Sequence, residues 1–393
     1  MLRIETKLLP NKMRPQSVDT PGPCRSALMA ALVTGLAISS SAQAAHNLVL
    51  KPLVIRDPAT NDQPAVRLLV PAGWRSEGGV LWRPEMANVA TIDFRAWNPY
   101  GRESLDVLPV ETFVWNKGGI ARFPNGSVYL GHRVLPAIGD PVTFIEDMAP
   151  QLRPRLRNAS VVQVTALPRA AKAVEATLRE AGTARWARAA RVRFEYREAG
   201  SVMQEDVYCA LLFVTSSTSP TTVYWRPERF YSFRAPKGHL DESAPVLHTM
   251  VSSLRYDAVW FNRYFRAGLR QRQSDIKLVR DPGTLTRYLS GFSDRPTPAA
   301  RQAYERKIAT DTAIMRGFGA HVRGLEVYRV SAEAQQIQLP AGYTRAWEAA
   351  AGGYILSRDA GFTPRSSTSG AWTALERVRK LAARGNSLRQ SPG

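Results

Sequence analysis

The stretch His248-Thr-Met-Val-Ser-Ser-Leu-Arg-Tyr-Asp-Ala-Val-Trp-Phe-Asn-Arg-Tyr-Phe265 decides how the middle of this chain folds. An apolar helical pattern over residues 241–254 runs into a Ser-Leu-Arg-Tyr corner and continues as a stripe of aromatic residues and arginines. Such a corner either closes a domain or builds a binding site. We predict that it closes a domain, with Leu254 in the core, Trp260 packing the next helix, and Arg255 exposed or capping.

The helix that follows the corner has two chemically different faces. One face carries Trp260, Phe261, Tyr264, Phe265 and Leu269, and the other carries Arg263, Arg266 and Arg270. In one interpretation the aromatic face packs against the preceding domain and the arginines are solvated. In the other, exposed aromatic anchors and positive charge dock the helix on an acidic partner or an anionic membrane surface. The second interpretation has five candidate partner-binding residues: Trp260, Arg263, Tyr264, Arg266 and Arg270.

The charge of the chain favours anionic partners. The 393 residues include 53 Lys plus Arg against 33 Asp plus Glu, which gives a net charge of +20. Such a field favours nucleic acid, phospholipid head groups, acidic glycans or an acidic protein face. No nucleic-acid recognition motif accompanies the charge, so we expect an envelope protein complex or an anionic surface as partner.

The N-terminal segment predicts export. Arg25 precedes the apolar run 27–38, and small residues follow at Ala42 and Ala44. This order is typical of a secretory signal peptide, which we place at residues 1–44. The run is too short to span a bilayer comfortably, and no other segment reads as a membrane span. The mature protein is therefore expected in the periplasm or secreted.

The residues that usually carry chemistry form no recognisable motif. Cys209 would be the single cysteine of the mature chain, and its position among alternating apolar residues predicts a buried structural thiol. We therefore predict no cofactor, no metal site and no nameable catalytic residue. The alternative is a secreted hydrolase whose Ser, His and Asp lie in distant segments. A cavity lined by His132, His239 or His248 would favour that alternative, whereas an aromatic groove would favour binding.

The hydrophobic pattern predicts an α+β fold in which helices cover an antiparallel sheet. Short alternating runs over 64–115 predict an antiparallel meander, and Asp140 with Pro141 predicts the start of a helix. Further strands are predicted at 159–164, 191–196, 205–214 and 221–233, with a short helix in the insert 170–188. In the segment 190–196 the arginines alternate with apolar residues, which predicts a sheet with one wet face.

Three features of the first 260 residues resemble the PsbP-like superfamily, the fold of a lumenal photosystem subunit and of many exported bacterial proteins. They are the Val70-Pro-Ala-Gly-Trp74 turn into Val80-Leu-Trp82, the helix after Asp140, and the closing helix with Ser253-Leu-Arg255 and Trp260. The resemblance covers about residues 50–260, while the insert 170–188 departs from it. It implies an α/β/α sandwich and a non-catalytic binding or assembly role beside a larger complex of the cell envelope.

The last third of the chain predicts a smaller module. A helix over 298–318, a strand at 325–329, and a hairpin turning at 349–353 with Trp347 and Tyr354 on its strands resemble a block found in exported bacterial proteins. These predictions give four parts along the chain. They are a signal peptide (1–44), a PsbP-like domain (45–258), a C-terminal α+β module (259–376) and a basic flexible tail (377–393).

Overall fold

Three sheets and six α-helices build the part of the chain that the structure describes. The computed structural model describes residues 47–117, 123–177, 183–216, 219–273, 282–330, 336–365 and 371–378. The predicted signal peptide lies outside these residues. The fold is a mixed α and β fold with mainly antiparallel sheets, as the sequence pattern predicts.

The strands and helices follow one another with short connections. The strands are Asn47–Asp57 (β1), Gln63–Pro71 (β2), Arg75–Trp82 (β3), Ala90–Trp97 (β4), Ser104–Val107 (β5), Phe113–Asn116 (β6), Val128–Tyr129 (β7), His132–Val134 (β8), Ser160–Ala166 (β9), Thr183–Glu198 (β10), Ser201–Ser216 (β11), Ser219–Pro236 (β12), Arg255–Tyr256 (β13), Leu325–Arg329 (β14), Gln336–Pro340 (β15), Arg345–Ala349 (β16), Tyr354–Ser357 (β17), Trp372–Ala374 (β18) and Glu376–Arg377 (β19). The helices are Pro141–Leu152 (α1), Pro168–Thr177 (α2), Leu240–Ser252 (α3), Ala258–Gln273 (α4), Pro282–Ser290 (α5) and Pro298–Gly319 (α6).

Local sequence signals explain where two of the helices begin. The side chain of Asp140 accepts hydrogen bonds from the first turn of α1, and Thr297 does the same for α6. Each is followed by a proline, whose missing N–H is harmless at a helix start. Both predicted helix starts are confirmed. The insert 170–188 is only partly helical, because α2 ends at Thr177 and β10 begins at Thr183.

A ten-stranded sheet forms the largest layer, in the order β3-β4-β5-β12-β11-β10-β9, with β6, β7 and β8 attached beside β12. Its central strand is β12, and beside it lies the hairpin of β11 and β10, which turns at Ala199-Gly200 with both residues at positive φ. That backbone is typical of a two-residue turn that matches the twist of the strands. The predicted strands between 159 and 233 are confirmed as parts of these longer strands.

Helices cover both faces of this sheet. Alternate residues of β11 point to opposite faces, so Cys209 packs with Phe144 of α1 while Tyr208 packs with Phe318 of α6. Helices α2 and α3 lie on the same face as α6. Cys209 is fully buried, and burial raises the pKa of its thiol well above the ordinary value. The prediction of a buried thiol is confirmed.

The prediction that one face of β10 is exposed to solvent is wrong. Arg193 is buried, and its guanidinium donates to Asp206 on β11 at 2.7 Å and to Asp241 of α3 at 2.6 Å. Arg191 also lies 3.3 Å from Asp206. Alternating arginines resemble a solvated face in sequence, but paired carboxylates let a helix cover them.

A six-stranded sheet, ordered β13-β2-β1-β17-β16-β18, joins the beginning and the end of the described chain. Asn47 lies opposite Ser357 in the antiparallel pair of β1 and β17. The predicted hairpin of β16 and β17 is confirmed, with Glu348 opposite Tyr354. The predicted single meander over 64–115 is wrong, because the turn at Gly73, with φ at +88°, takes the chain from this sheet into the ten-stranded one.

The two predicted modules share this six-stranded sheet. The described residues from Asn47 onward form one compact unit, and the boundary at 258/259 stays a prediction. The third sheet, ordered β15-β14-β19, ends at Arg377, and the predicted tail beyond Val378 lies outside the described residues. Within the described residues, no helix has the length and apolar character that crossing a membrane would need.

The corner at 253–257 closes the first core as predicted. Leu254 is buried, and Arg255 donates from Nη1 to the carbonyls of Ser252 and Leu254, which caps the end of α3. Arg255 and Tyr256 then pair with β2 as the edge strand β13. The side chain of Asp257 accepts hydrogen bonds from the first turn of α4, at 3.0 and 3.2 Å. The corner thus joins two helices across a sheet edge.

Candidate functional site

A ladder of aromatic rings runs from the corner along α4. The rings of Tyr256 and Trp260 stack with centroids 5.8 Å apart, and those of Trp260 and Tyr264 stack at 5.7 Å. Their four-residue spacing places the last two on one helix face. Phe261 tilts against Tyr264, with ring centroids 5.6 Å apart, and widens the aromatic surface.

A buried carboxylate holds the ladder in place. Oδ2 of Asp57 accepts a hydrogen bond from the indole of Trp260 at 2.7 Å and another from the indole of Trp82 at 2.8 Å. Its Oδ1 accepts the backbone N–H of Ala59 at 3.0 Å. Trp260 is only 2% exposed. The aromatic face therefore packs inward, and Trp260 does not project from the surface as a free anchor.

A cavity of about 370 Å³ opens beside this ladder, between α4, α6, β4 and β12. We call it the aromatic cavity. Its aromatic wall is formed by Tyr256, Trp260, Phe261 and Tyr264, and its polar side by Thr112, Arg226, Glu228, Arg306 and Lys307. Two of the five predicted partner-binding residues, Trp260 and Tyr264, thus lie together at one cavity.

The charges on the polar side are largely compensated. Arg226 donates two hydrogen bonds to Oε1 of Glu228, at 2.8 and 2.6 Å. Nζ of Lys307 lies 2.7 Å from a carboxylate oxygen of Asp311 and 4.0 Å from one of Glu228. Burial would raise the pKa of Glu228, but the charges of Arg226 and Lys307 outweigh burial and lower it.

One hydroxyl of the cavity has no hydrogen-bond partner. Thr112 is 7% exposed, and among the described residues nothing bonds to its Oγ1. A buried hydroxyl without a partner is energetically unfavourable, and a polar ligand atom would satisfy it. Across the cavity, the hydroxyl of Tyr264 donates to Oδ1 of Asn88 at 3.0 Å. The cavity therefore combines flat aromatic surface with an unsatisfied polar position.

The three arginines on the other face of α4 lie away from this cavity. Arg263 contacts Asp294 at 2.6 Å, and the guanidiniums of Arg266 and Arg270 lie over the ring of Phe292, 5.6 and 4.8 Å from its centroid. Arg270 is exposed as expected for a solvated face, whereas Arg263 and Arg266 are half-buried because the turn after α5 covers part of this face. A role of these arginines in partner binding stays a prediction.

The histidines named for the hydrolase alternative do not line the aromatic cavity. His248 is fully buried, its Nε2 lies 3.3 Å from Oε1 of Gln338, and burial lowers its pKa to about 4. His239 lies 3.5 Å from Glu242 at the surface, and the ring of His132 packs against Tyr224. Within the described ranges, no group of three or more His, Cys, Asp or Glu is arranged to hold a metal ion.

Sequence reasoning missed the polar side of the cavity. Arg226 and Glu228 belong to the word Trp-Arg-Pro-Glu, which occurs at 82–85 and again at 225–228, a match that the flanking residues do not extend. Lys307 lies on α6, about 50 residues from the ladder in sequence. Only the fold brings these residues to one place, so no local signal could have joined them.

Comparison with known proteins assigns no family to the chain. No protein-family model matches the sequence, and no curated protein matches it at a significant level. The resemblance to the PsbP-like superfamily therefore depends on its three motifs.

Proposed function

We propose that this protein is an exported, non-catalytic binding protein of the bacterial cell envelope that recognises an acidic partner. The observation that carries the proposal is the aromatic cavity, where a stacked ladder of rings meets Arg226, Arg306 and Lys307. We assign the partner contact to the mouth of this cavity. The proposal includes the PsbP-like α/β/α sandwich for residues 45–258, with its implied accessory role beside a larger complex.

The chemistry of the cavity suits a ligand group that is both flat and acidic. Stacked rings offer a large apolar surface that a side chain or ring of the partner can cover. Arg226 keeps about half of its side chain exposed, at 47%, so its guanidinium can meet a carboxylate or phosphate. The net charge of +20 adds long-range attraction for an acidic partner.

The arrangement of titratable groups supports binding over hydrolysis. A hydrolytic site needs a base within hydrogen-bond reach of a nucleophile, and each of the three named histidines lies elsewhere. The carboxylate of Glu228 is engaged with Arg226 and Lys307, so its charge is already neutralised. An aromatic cavity with paired charges favours recognition, which is the role that the PsbP-like resemblance implies.

A site-directed crosslink tests the proposal in the native envelope. Because Cys209 is buried with a raised thiol pKa, a cysteine introduced at position 306 would carry a photo-crosslinker selectively. Arg301 is exposed on the same helix but does not line the cavity, so Arg301→Cys is the matched control. We expect one acidic envelope component to crosslink from position 306 and not from 301.

A charge reversal then measures the contribution of the cavity. We expect Arg306→Glu to weaken binding of the purified crosslinked component at least about tenfold, while Arg301→Glu changes it little. The effect should diminish at high salt, because screening weakens interactions between exposed charges. Equal crosslinking from both positions, or equal binding by the two reversed variants, would contradict the proposal.

A further inference from the structure

A second cavity, of about 330 Å³, lies on the other side of the corner. It is bounded by β2, the end of α3, α6 and β15. Three of its lining residues are arginines, Arg67, Arg255 and Arg316, and none of the described residues that line it is acidic. We call it the arginine cavity. It shares no lining residue with the aromatic cavity.

The two-residue strand β13 separates the cavities. Successive residues of a strand point to opposite sides, so Arg255 lines the arginine cavity while Tyr256 lines the aromatic one. Helix α6 also contributes to both, with Lys307 on one side and Arg316 on the other. The same short segment of backbone therefore supports two chemically different surfaces.

Arg255 is a partly buried cation without a carboxylate partner. Its guanidinium donates only from Nη1, to the carbonyls of Ser252 at 2.8 Å and Leu254 at 2.9 Å. Among the described residues, no acidic oxygen forms an ion pair with it. Burial, and next the positive charge of Arg229, lower the pKa of Arg255, and the charge of Asp311, which forms no ion pair with it, opposes them only in part. A partly buried charge without a directly paired counter-charge is costly, and an anion in the cavity would offset that cost.

The other two arginines leave the cavity with excess positive charge. Arg316 is exposed on α6, and within the described part of the chain it forms no ion pair. Arg67 is 61% exposed and lies 4.0 Å from Asp257, which does not line the cavity. Among the described residues, Asp257 is therefore the single carboxylate within ion-pair distance of any of the three guanidiniums. The remaining wall is apolar, with Leu68, Met315 and Ile337 among its residues.

We propose that the arginine cavity binds a small organic phosphate monoester, with its phosphate on Arg255 and Arg316 and its organic part on the apolar wall. A phosphate monoester is close to a dianion at neutral pH, so it matches two unpaired guanidiniums better than a carboxylate does. The planar forks of arginine suit phosphate oxygens. This site is separate from the aromatic cavity, and its test does not depend on the proposed function.

Calorimetric titration of the mature protein with phenyl phosphate tests this assignment. We expect saturable one-to-one binding in chloride buffer of constant ionic strength, and binding at least about tenfold weaker for benzoate. We expect Arg316→Gln to weaken phenyl phosphate binding at least about tenfold, because a charged contact is lost. Arg301→Gln removes the same charge from the same helix outside the cavity, and it should leave affinity unchanged.

A second variant, Arg255→Gln, separates a loss of phosphate binding from a loss of folding stability. Arg255→Gln removes the cap of α3 as well as the charge, so its thermal stability is measured beside its affinity. The side chain of Arg316 forms no hydrogen bond or ion pair among the described residues, so Arg316→Gln should fold as the parent does. Absence of saturable binding, equal affinity of Arg316→Gln and parent, or equal affinity for benzoate would each overturn the proposal.

Discussion

The aromatic cavity and the arginine cavity border the same corner but handle charge in opposite ways. In the aromatic cavity Arg226 and Lys307 each lie within 4.0 Å of a carboxylate, and the stacked rings are anchored to Asp57. In the arginine cavity Arg255 and Arg316 have no carboxylate partner in the described ranges. An edge strand only two residues long can thus separate a cavity with paired charges from one with unpaired charges.

Asp311 is the residue that creates most of this difference. It is 1% exposed on α6, and its two oxygens lie 2.6 Å from the guanidinium of Arg229 and 2.7 Å from Nζ of Lys307. Lys307 lines the aromatic cavity, whereas Arg229 lines neither cavity. No comparable carboxylate stands on the side of Arg316 among the described residues. Asp311 acts on Arg255 only through its charge and forms no ion pair with it, so a change at Asp311 should act mainly on the aromatic side.

The largest effect is expected from Asp311→Asn. Loss of this carboxylate removes the nearest counter-charge of Arg229 and Lys307 and leaves only Glu228, 4.0 Å from Lys307, which should lower the free energy of unfolding by about 3–5 kcal/mol. Urea denaturation followed by circular dichroism measures the change. Asp294→Asn is the matched control, because Asp294 is 65% exposed where it pairs with Arg263. If Asp311→Asn lowers the free energy of unfolding by less than about 1 kcal/mol, charge compensation by Asp311 does not stabilise the region around the aromatic cavity.

The next largest effect on the free energy of unfolding is expected from Asp57, whose carboxylate holds the aromatic ladder in place. Asp57→Ala leaves the buried indole N–H of Trp260 and the half-buried one of Trp82 without an acceptor, which should lower the free energy of unfolding by about 3 kcal/mol. Asp57→Asn keeps one acceptor oxygen and should lose less. The crosslink from position 306 should weaken in Asp57→Ala, whereas phenyl phosphate binding should persist. Equal damage to both cavities would show that they are not independent.

The third prediction is a pH dependence on the arginine side. His248 contacts Gln338, which lines the arginine cavity, and burial lowers its pKa from 6.5 to about 4. The unfolded chain therefore binds this proton more tightly, and stability is lost as the pH falls from about 6.5 toward about 4. Between pH 7.5 and pH 5 the loss should be about 2 kcal/mol. Denaturant titrations at both pH values measure it, and His248→Leu should remove most of the difference.

The smallest effect is expected from salt. Uncompensated arginines repel one another, so a rise from about 0.05 to about 0.5 M sodium chloride should stabilise the protein by a few tenths of a kcal/mol. Arg316→Gln should reduce this gain, because it removes one repelling charge from the arginine cavity. Arg226→Gln should not reduce it, since Arg226 is paired with Glu228. An identical salt response in both variants would indicate that the cavities do not differ in charge compensation.

The sequence predicts where the helices and strands of this fold lie in the chain better than it predicts which strands lie next to one another. Helix starts at Asp140 and Thr297 and the hairpin at 349–353 follow from local rules of capping and turns, and they are confirmed. The sheet to which β2 belongs does not follow from such rules. Alternation of apolar and polar residues predicts a strand but not the strand with which it pairs. The sequence on both sides of Gly73 therefore predicted one continuous meander, although the chain changes sheets there.

The two candidate sites also differ in how much of each could be predicted from the sequence. The aromatic stripe of α4 is visible in sequence because its residues repeat at helical spacing, and Trp260 and Tyr264 do line a cavity. Arg67 and Arg316 come from segments about 250 residues apart, and nothing in either segment marks the other. Whether an arginine is paired also depends on tertiary contacts. Arg193 is neutralised by Asp206 and Arg255 is not, although both alternate with apolar residues.

The pairing of β1 with β17 is expected to form later in folding than the hairpins of the ten-stranded sheet. Asn47 meets Ser357 only after a loop of about 300 residues has been closed, and such long-range contacts form late in folding. The hairpins of the ten-stranded sheet join neighbouring segments and can form first. A chain truncated before Tyr354 would leave the edge of β1 open as a template for other strands. It should aggregate in a concentration-dependent way, which light scattering would reveal.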